Sequence, residues 1–195
     1  ELALEVERLI APRASQALIE VFPFGGKRTV FLIDVSGSMS NVIDTTLEVA
    51  YALKGIATEV WAFHENKVFP VKLDSLYDVE QIKSLVGGGT PLEKAFEVGV
   101  ERAKALNSIL VAFTDEMGNV FSRSNIIRPD VPTVVMNPSP YPAEHVVKEV
   151  GLVIGVPVSR LDITIAALRY IRLAELVQTG KVVDVVQLAE KLVAK

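Results

Sequence analysis

The sequence predicts an α/β fold: a doubly wound, mostly parallel sheet with one antiparallel edge strand and a C-terminal helical hairpin. Three observations carry this. Short, continuous, β-rich apolar runs recur at residues 29–33, 109–113, 131–136 and 152–156, the pattern of strands covered on both faces. Stretches of helical periodicity separate them, giving the order β, α, β-hairpin, α, α, β, loop, β, α, β. Two of the apolar runs end in a carboxylate, Asp34 and Asp115, and ligands of open α/β sheets bind outside the carboxyl ends of the strands.

Residues 1–26 form an N-terminal extension of open type, since Leu2, Leu4 and Val6 alternate like a strand while Val6, Leu9 and Ile10 recur like a helix. The Gly25-Gly26-Lys27-Arg28-Thr29 stretch is no phosphate-binding loop: Val21 stands where that loop needs its first Gly, and a strand follows instead of a helix. After the opening strand, Ile43, Leu47 and Ala50 share one face of a helix over 42–54. Runs at 59–63 and 68–71 flank His64-Glu65-Asn66-Lys67 as a hairpin, and Pro70, which has no N–H to donate, puts the second run at the sheet edge.

Asp78 with Gln81 resembles a capping box for a short helix ending near Gly87. Gly87-Gly88-Gly89-Thr90 turns the chain into a helix whose inner face is Leu92, Phe96, Gly99, Ala103 and Leu106. The run at 109–113 closes in Thr114-Asp115-Glu116, and a helix over 143–150 joins the last two strands. Residues 159–195 read as two helices, 161–178 and 182–193, with Ser159 and Asp162 as the start signal and Gly180 as the stop between them. The first has only a narrow polar stripe of Asp162, Arg169, Arg172 and Glu175, so its apolar face either covers the sheet or meets a partner or a second copy.

Composition narrows the function classes. Half of the 195 residues are hydrophobic and 23% are charged, which suits one α/β domain over 27–158 with its two extensions. The net charge of −4 gives no electrostatic footprint for nucleic acid, so direct contact with it is not expected. No apolar segment reaches the ~20 residues of a membrane span, and the absence of cysteine excludes disulfides and thiolate metal sites. The chain starts at Glu1 without an initiator Met, the expectation for a processed or partial sequence.

The chemistry concentrates in Asp34-Val35-Ser36-Gly37-Ser38. Asp34, Ser36 and Ser38 offer three hard oxygens at alternate positions, donors that suit magnesium or manganese, although Asp, Ser and Gly also build ordinary turns. Met39 is expected to pack under this loop. Thr90-Pro91-Leu92-Glu93 has the form of a capping box with Pro at the first helical position, so the Thr90 hydroxyl is either a helix cap or a metal ligand.

Asp34-Val-Ser36-Gly-Ser38, Gly88-Gly89-Thr90 and Thr114-Asp115 together resemble the von Willebrand factor A domain family and its metal-ion-dependent adhesion site. The resemblance spans residues 27–156 and implies a Rossmann-like sheet. It also implies a Mg2+ or Mn2+ ion held by Ser36 and Ser38, by Thr90 in the engaged state, and by Asp34 and Asp115 directly or through water. In that family a partner protein's carboxylate completes the octahedron. Glu116 is a departure, since the family commonly has Gly there, and it adds negative charge beside the ion.

The resemblance implies a binding module, not an enzyme, in a cytoplasmic multiprotein assembly. Intracellular members work with AAA+ ATPases, and Val134-Val-Met-Asn-Pro138 looks like a segment of some of them. The alternative is a ribonucleoprotein component, because the second and third motifs also resemble the A domain of Ro autoantigen-like proteins. A metal-dependent phosphoryl-transfer enzyme fits poorly, because Ser36 occupies the place of its second acid. The isolated His64 and His145 lack zinc spacing and read as solvated or structural.

Overall fold

A computed structural model describes residues 29–117, 127–138 and 153–157. The N-terminal extension, the helix expected over 143–150, His145 and the C-terminal hairpin lie outside the described residues.

Strand β1 (Thr29–Asp34) is buried along its whole length. Successive side chains of a pleated strand point to opposite faces, so Phe31 and Ile33 enter one core and Val30 and Leu32 enter another. Strand β4 (Ile109–Phe113) repeats this, with Ile109, Val111 and Phe113 on the Phe31 side and Leu110 and Ala112 on the other. The rings of Phe31 and Phe113 meet edge-on, 5.2 Å between centroids.

The Phe31 side is covered by α1 (Ile43–Ala52) and α2 (Leu76–Lys83), which contribute Ile43, Leu47, Val49, Ala50 and Ile82. The opposite side is covered by α3 (Leu92–Ala105) through Leu92, Ala95, Phe96 and Ala103. Gly99 lets α3 lie close: a Cβ there would stand 3.0 Å from one Leu110 methyl and 3.3 Å from a Leu32 methyl. Near its C-terminus, Arg102 pairs with Glu59 of β2 (Ala57–His64), and this hydrogen bond is the main cause holding the Glu59 carboxyl below its ordinary range.

With β3 (Lys67–Pro70), β5 (Thr133–Asn137) and β6 (Val153–Pro157), the described residues form one six-stranded sheet in the order β3-β2-β1-β4-β5-β6. Every pairing is parallel except that of β2 with β3. Among the described residues β3 therefore lies at the sheet edge, as expected from Pro70. The chain leaves β1 toward one edge and returns to β4 on its other side, so the topological switch point lies between the ends of β1 and β4, where Asp34 and Asp115 emerge.

Two helix starts differ from expectation. Helix α2 is capped by Ser75, not Asp78: the Ser75 hydroxyl accepts the Asp78 N–H, and the Asp78 carboxylate accepts the N–H of Ser75 at 3.0 Å and of Asp74 at 2.9 Å. Asp78 closes this reciprocal box from the third helical position, so the helix starts earlier than the Asp78-Gln81 spacing suggests. It also ends at Lys83, short of Gly87. In α3, Pro91 is the cap residue and Leu92 the first helical one; with Pro91 at ψ 62°, Thr90 sits one residue outside the cap.

At the foot of β1 the Thr29 hydroxyl is buried without a hydrogen-bond partner among the described residues. Valine keeps the shape and removes the unpaired group, so Thr29→Val is expected to stabilise the protein by about 1 kcal/mol in urea unfolding. A destabilised variant would show that the hydroxyl has a partner after all.

Candidate metal centre

Asp34 is the last residue of β1 and is fully buried. Its Oδ1 accepts the Ser36 N–H at 2.9 Å, and its Oδ2 accepts the Thr114 hydroxyl at 2.7 Å. Beyond it the chain enters a short 3-10 turn over Gly37–Asn41, pinned from below by the buried Met39 as expected. Ser36 precedes this turn in extended backbone and its hydroxyl caps nothing, lying instead 3.2 Å from that of the exposed Ser38. The hydroxyls thus face each other above the buried carboxylate instead of being spent on the backbone.

The second loop is strapped to the first. Gly87 N–H donates to the Val35 carbonyl and Gly37 N–H to the Gly88 carbonyl, each at 2.9 Å. From the other side, the hairpin turn holds it through Glu65 N–H to the Gly89 carbonyl at 2.7 Å and through His64 Nδ1 to the Gly87 carbonyl at 3.3 Å. His64 also packs edge-on against Phe69, a structural role. Gly88 has φ +72°, and a Cβ there would fall 2.2 Å from Glu65 Cγ, so any other residue would be strained and would displace the Glu65 side chain.

Two residues on is Thr90, 7% exposed. Among the described residues its hydroxyl makes no hydrogen bond to the start of α3, so the expected capping box over Thr90–Glu93 is not formed. With Pro91 taking the cap position, the hydroxyl is left available to an ion.

The third loop follows β4. Thr114 is fully buried, and besides donating to Asp34 its hydroxyl accepts the Glu116 N–H at 3.0 Å. Asp115, 4% exposed, accepts the Met117 N–H at 3.1 Å. Glu116 has φ +56°, the left-handed region that a side chain disfavours by about 1–2 kcal/mol. That backbone explains why glycine suits this position. The Glu116 carboxylate is buried and accepts the Asn137 amide at 3.2 Å, toward β5.

The electrostatics follow from this packing. Burial, chiefly, pushes the Asp34 carboxyl up to about 6; the hydrogen bonds from Ser36 and Thr114 oppose the rise, and the nearby Asp115 charge adds to it. Among the described residues no Lys, Arg or His is ion-paired with Asp34 or Asp115. No group of three or more His, Cys, Asp or Glu that could hold a metal occurs among them either; the set here is two carboxylates and three hydroxyls. Grooves of about 360 Å³ beside Trp61 and 340 Å³ beside Phe96 include none of these five residues.

The geometry bonds Ser36 to Asp34 and sets the Ser38 hydroxyl against that of Ser36, places Asp115 within electrostatic reach of Asp34, and among the described residues joins Thr90 to them through the Gly88 strap. Sequence reading missed the link made by Thr114. Its one signal was a hydroxyl directly before Asp115, at the end of a strand expected to be buried.

No protein-family model matches the sequence, and no curated protein is similar to it. Among solved structures, the pilus adhesin SpaC from Lactobacillus rhamnosus GG in its open conformation is similar with a TM-score of 0.41 and 13% identity, over 77% of this chain and 30% of that one. Among the described residues no helix is long and apolar enough to cross a membrane.

Proposed function

We propose that this chain is a divalent-cation-dependent protein-binding module of the von Willebrand factor A kind, in which Asp34, Ser36, Ser38, Thr90 and Asp115 hold Mg2+ or Mn2+. The observation that carries the reading is a buried carboxylate, Asp34, beside a second one and under two facing hydroxyls, with no basic side chain among the described residues paired to either acid. An unpaired buried carboxylate is costly, and a divalent cation supplies the missing charge. Neutral hydroxyls in its shell leave the ion electrophilic, so that a partner's carboxylate can complete the coordination. The partner is an acidic side chain of another protein in a cytoplasmic assembly, for which an AAA+ ATPase is the leading candidate.

Immobilised protein is expected to retain its partner in magnesium, to release it on chelation, and to ignore nuclease. Asp34→Asn should retain nothing above background in the same buffer. Capture abolished by nuclease would replace this reading with a ribonucleoprotein one, and capture indifferent to chelator would remove the metal from recognition.

A further inference from the structure

We propose that Thr114 is a positioning residue of the metal centre, whose buried hydroxyl locks the Asp34 carboxylate and the Asp115 loop into one arrangement. The inference rests on the metal-dependent reading above and adds to it a residue that touches no ion. The direction of the hydroxyl proton is fixed by its neighbours. The Glu116 N–H can only donate, so at 3.0 Å it occupies a lone pair of Thr114 Oγ1; the single hydroxyl proton then points to Asp34 Oδ2, 2.7 Å away.

Two consequences follow. Each Asp34 oxygen carries a donor, the Ser36 N–H on Oδ1 and the Thr114 O–H on Oδ2, with the Ser36 hydroxyl as a further partner of the carboxylate, so these bonds together hold the carboxylate plane in one orientation. The hydrogen bond from Glu116 back to Thr114 also brackets Asp115 between its two ends and fixes the loop that carries the second acid. A residue 80 positions from Asp34 thereby ties β1 and β4 together at the switch point.

Removing the hydroxyl takes the donor from Asp34 Oδ2 and the Thr114 acceptor from the Glu116 N–H. Supporting groups of this kind are worth about 10–100-fold in metal affinity. Magnesium titrated calorimetrically into wild type, Thr114→Val and Thr114→Ser separates positioning from packing. Thr114→Val, which keeps the volume, is expected to bind about 10–100-fold more weakly, and Thr114→Ser, which keeps the hydroxyl, to retain wild-type affinity.

Wild-type binding with Thr114→Val unchanged overturns this inference and leaves the metal reading standing. A wild type that binds no magnesium overturns both. Should the valine variant fail to fold, the serine variant decides: folded yet weakened, it shows that the methyl and its packing matter and the hydroxyl does not.

Discussion

Asp34→Asn is expected to lose stabilisation by magnesium while remaining, in metal-free buffer at pH 7.5, at least as stable as wild type. Most buried polar substitutions cost stability because they orphan a partner. Here the replacement keeps an oxygen for the Ser36 N–H and costs the Thr114 hydroxyl its acceptor, but it also removes a buried charge that pairs with no cation among the described residues, which is the larger effect. In wild type, magnesium at a hundredfold excess over its dissociation constant should add about 2.7 kcal/mol to unfolding free energy by mass action. The asparagine variant should add none. Urea unfolding of both proteins with chelator and with magnesium checks this. A structural aspartate would give the reverse, a variant weakened in both buffers.

The second large effect is in pH. The Asp34 carboxyl titrates near 6 in the folded protein, against an ordinary aspartate value of about 3.9 when unfolded. Between those values the folded state holds the proton more tightly, so this group's contribution to stability is greatest below pH 4 and is lost as pH rises to 6 and beyond. The loss is about 3 kcal/mol, because the folded and unfolded carboxyls titrate roughly two pH units apart. Glu59, Asp78 and Asp130 have lowered values and slope the opposite way at lower pH, which makes the difference between wild type and Asp34→Asn the informative curve. That difference is expected to widen across pH 4–6 in chelator and to reverse in saturating magnesium, which binds the ionised carboxylate. A flat difference curve would show that Asp34 is not strained by burial.

The sheet was legible wherever burial alone sets the sequence. Thr29–Asp34 and Ile109–Phe113 are covered on both faces, which requires an uninterrupted apolar run that no surface strand tolerates. Pro70 announced an edge because a missing N–H is tolerable only there. The helix starts were less legible, because several Ser, Thr and Asp residues stand within one turn of each and only the backbone decides between them. Ser75 captured the cap that Asp78 resembled, and Pro91 displaced Thr90.

In the candidate site, the three loops could be named from their side chains, since hard oxygens at alternate positions after a buried strand have a recognisable spacing. The contacts between loops could not. The bond from Thr114 to Asp34 and the strap from Gly37 to Gly88 join residues 80 and 51 positions apart, and only parallel pairing of β4 with β1 and the close glycine backbones bring them together. The extra acid at Glu116 looked like charge added beside the ion; in the fold it occupies a left-handed backbone position and is hydrogen-bonded toward β5 through Asn137.

Crystals grown with manganese and measured at the manganese absorption edge test the central claim most directly. The expected result is one anomalous peak within coordinating distance of the Ser36 and Ser38 hydroxyls, between the loops that carry Asp34, Thr90 and Asp115. Bound manganese elsewhere on the molecule, with none between these loops, would contradict it.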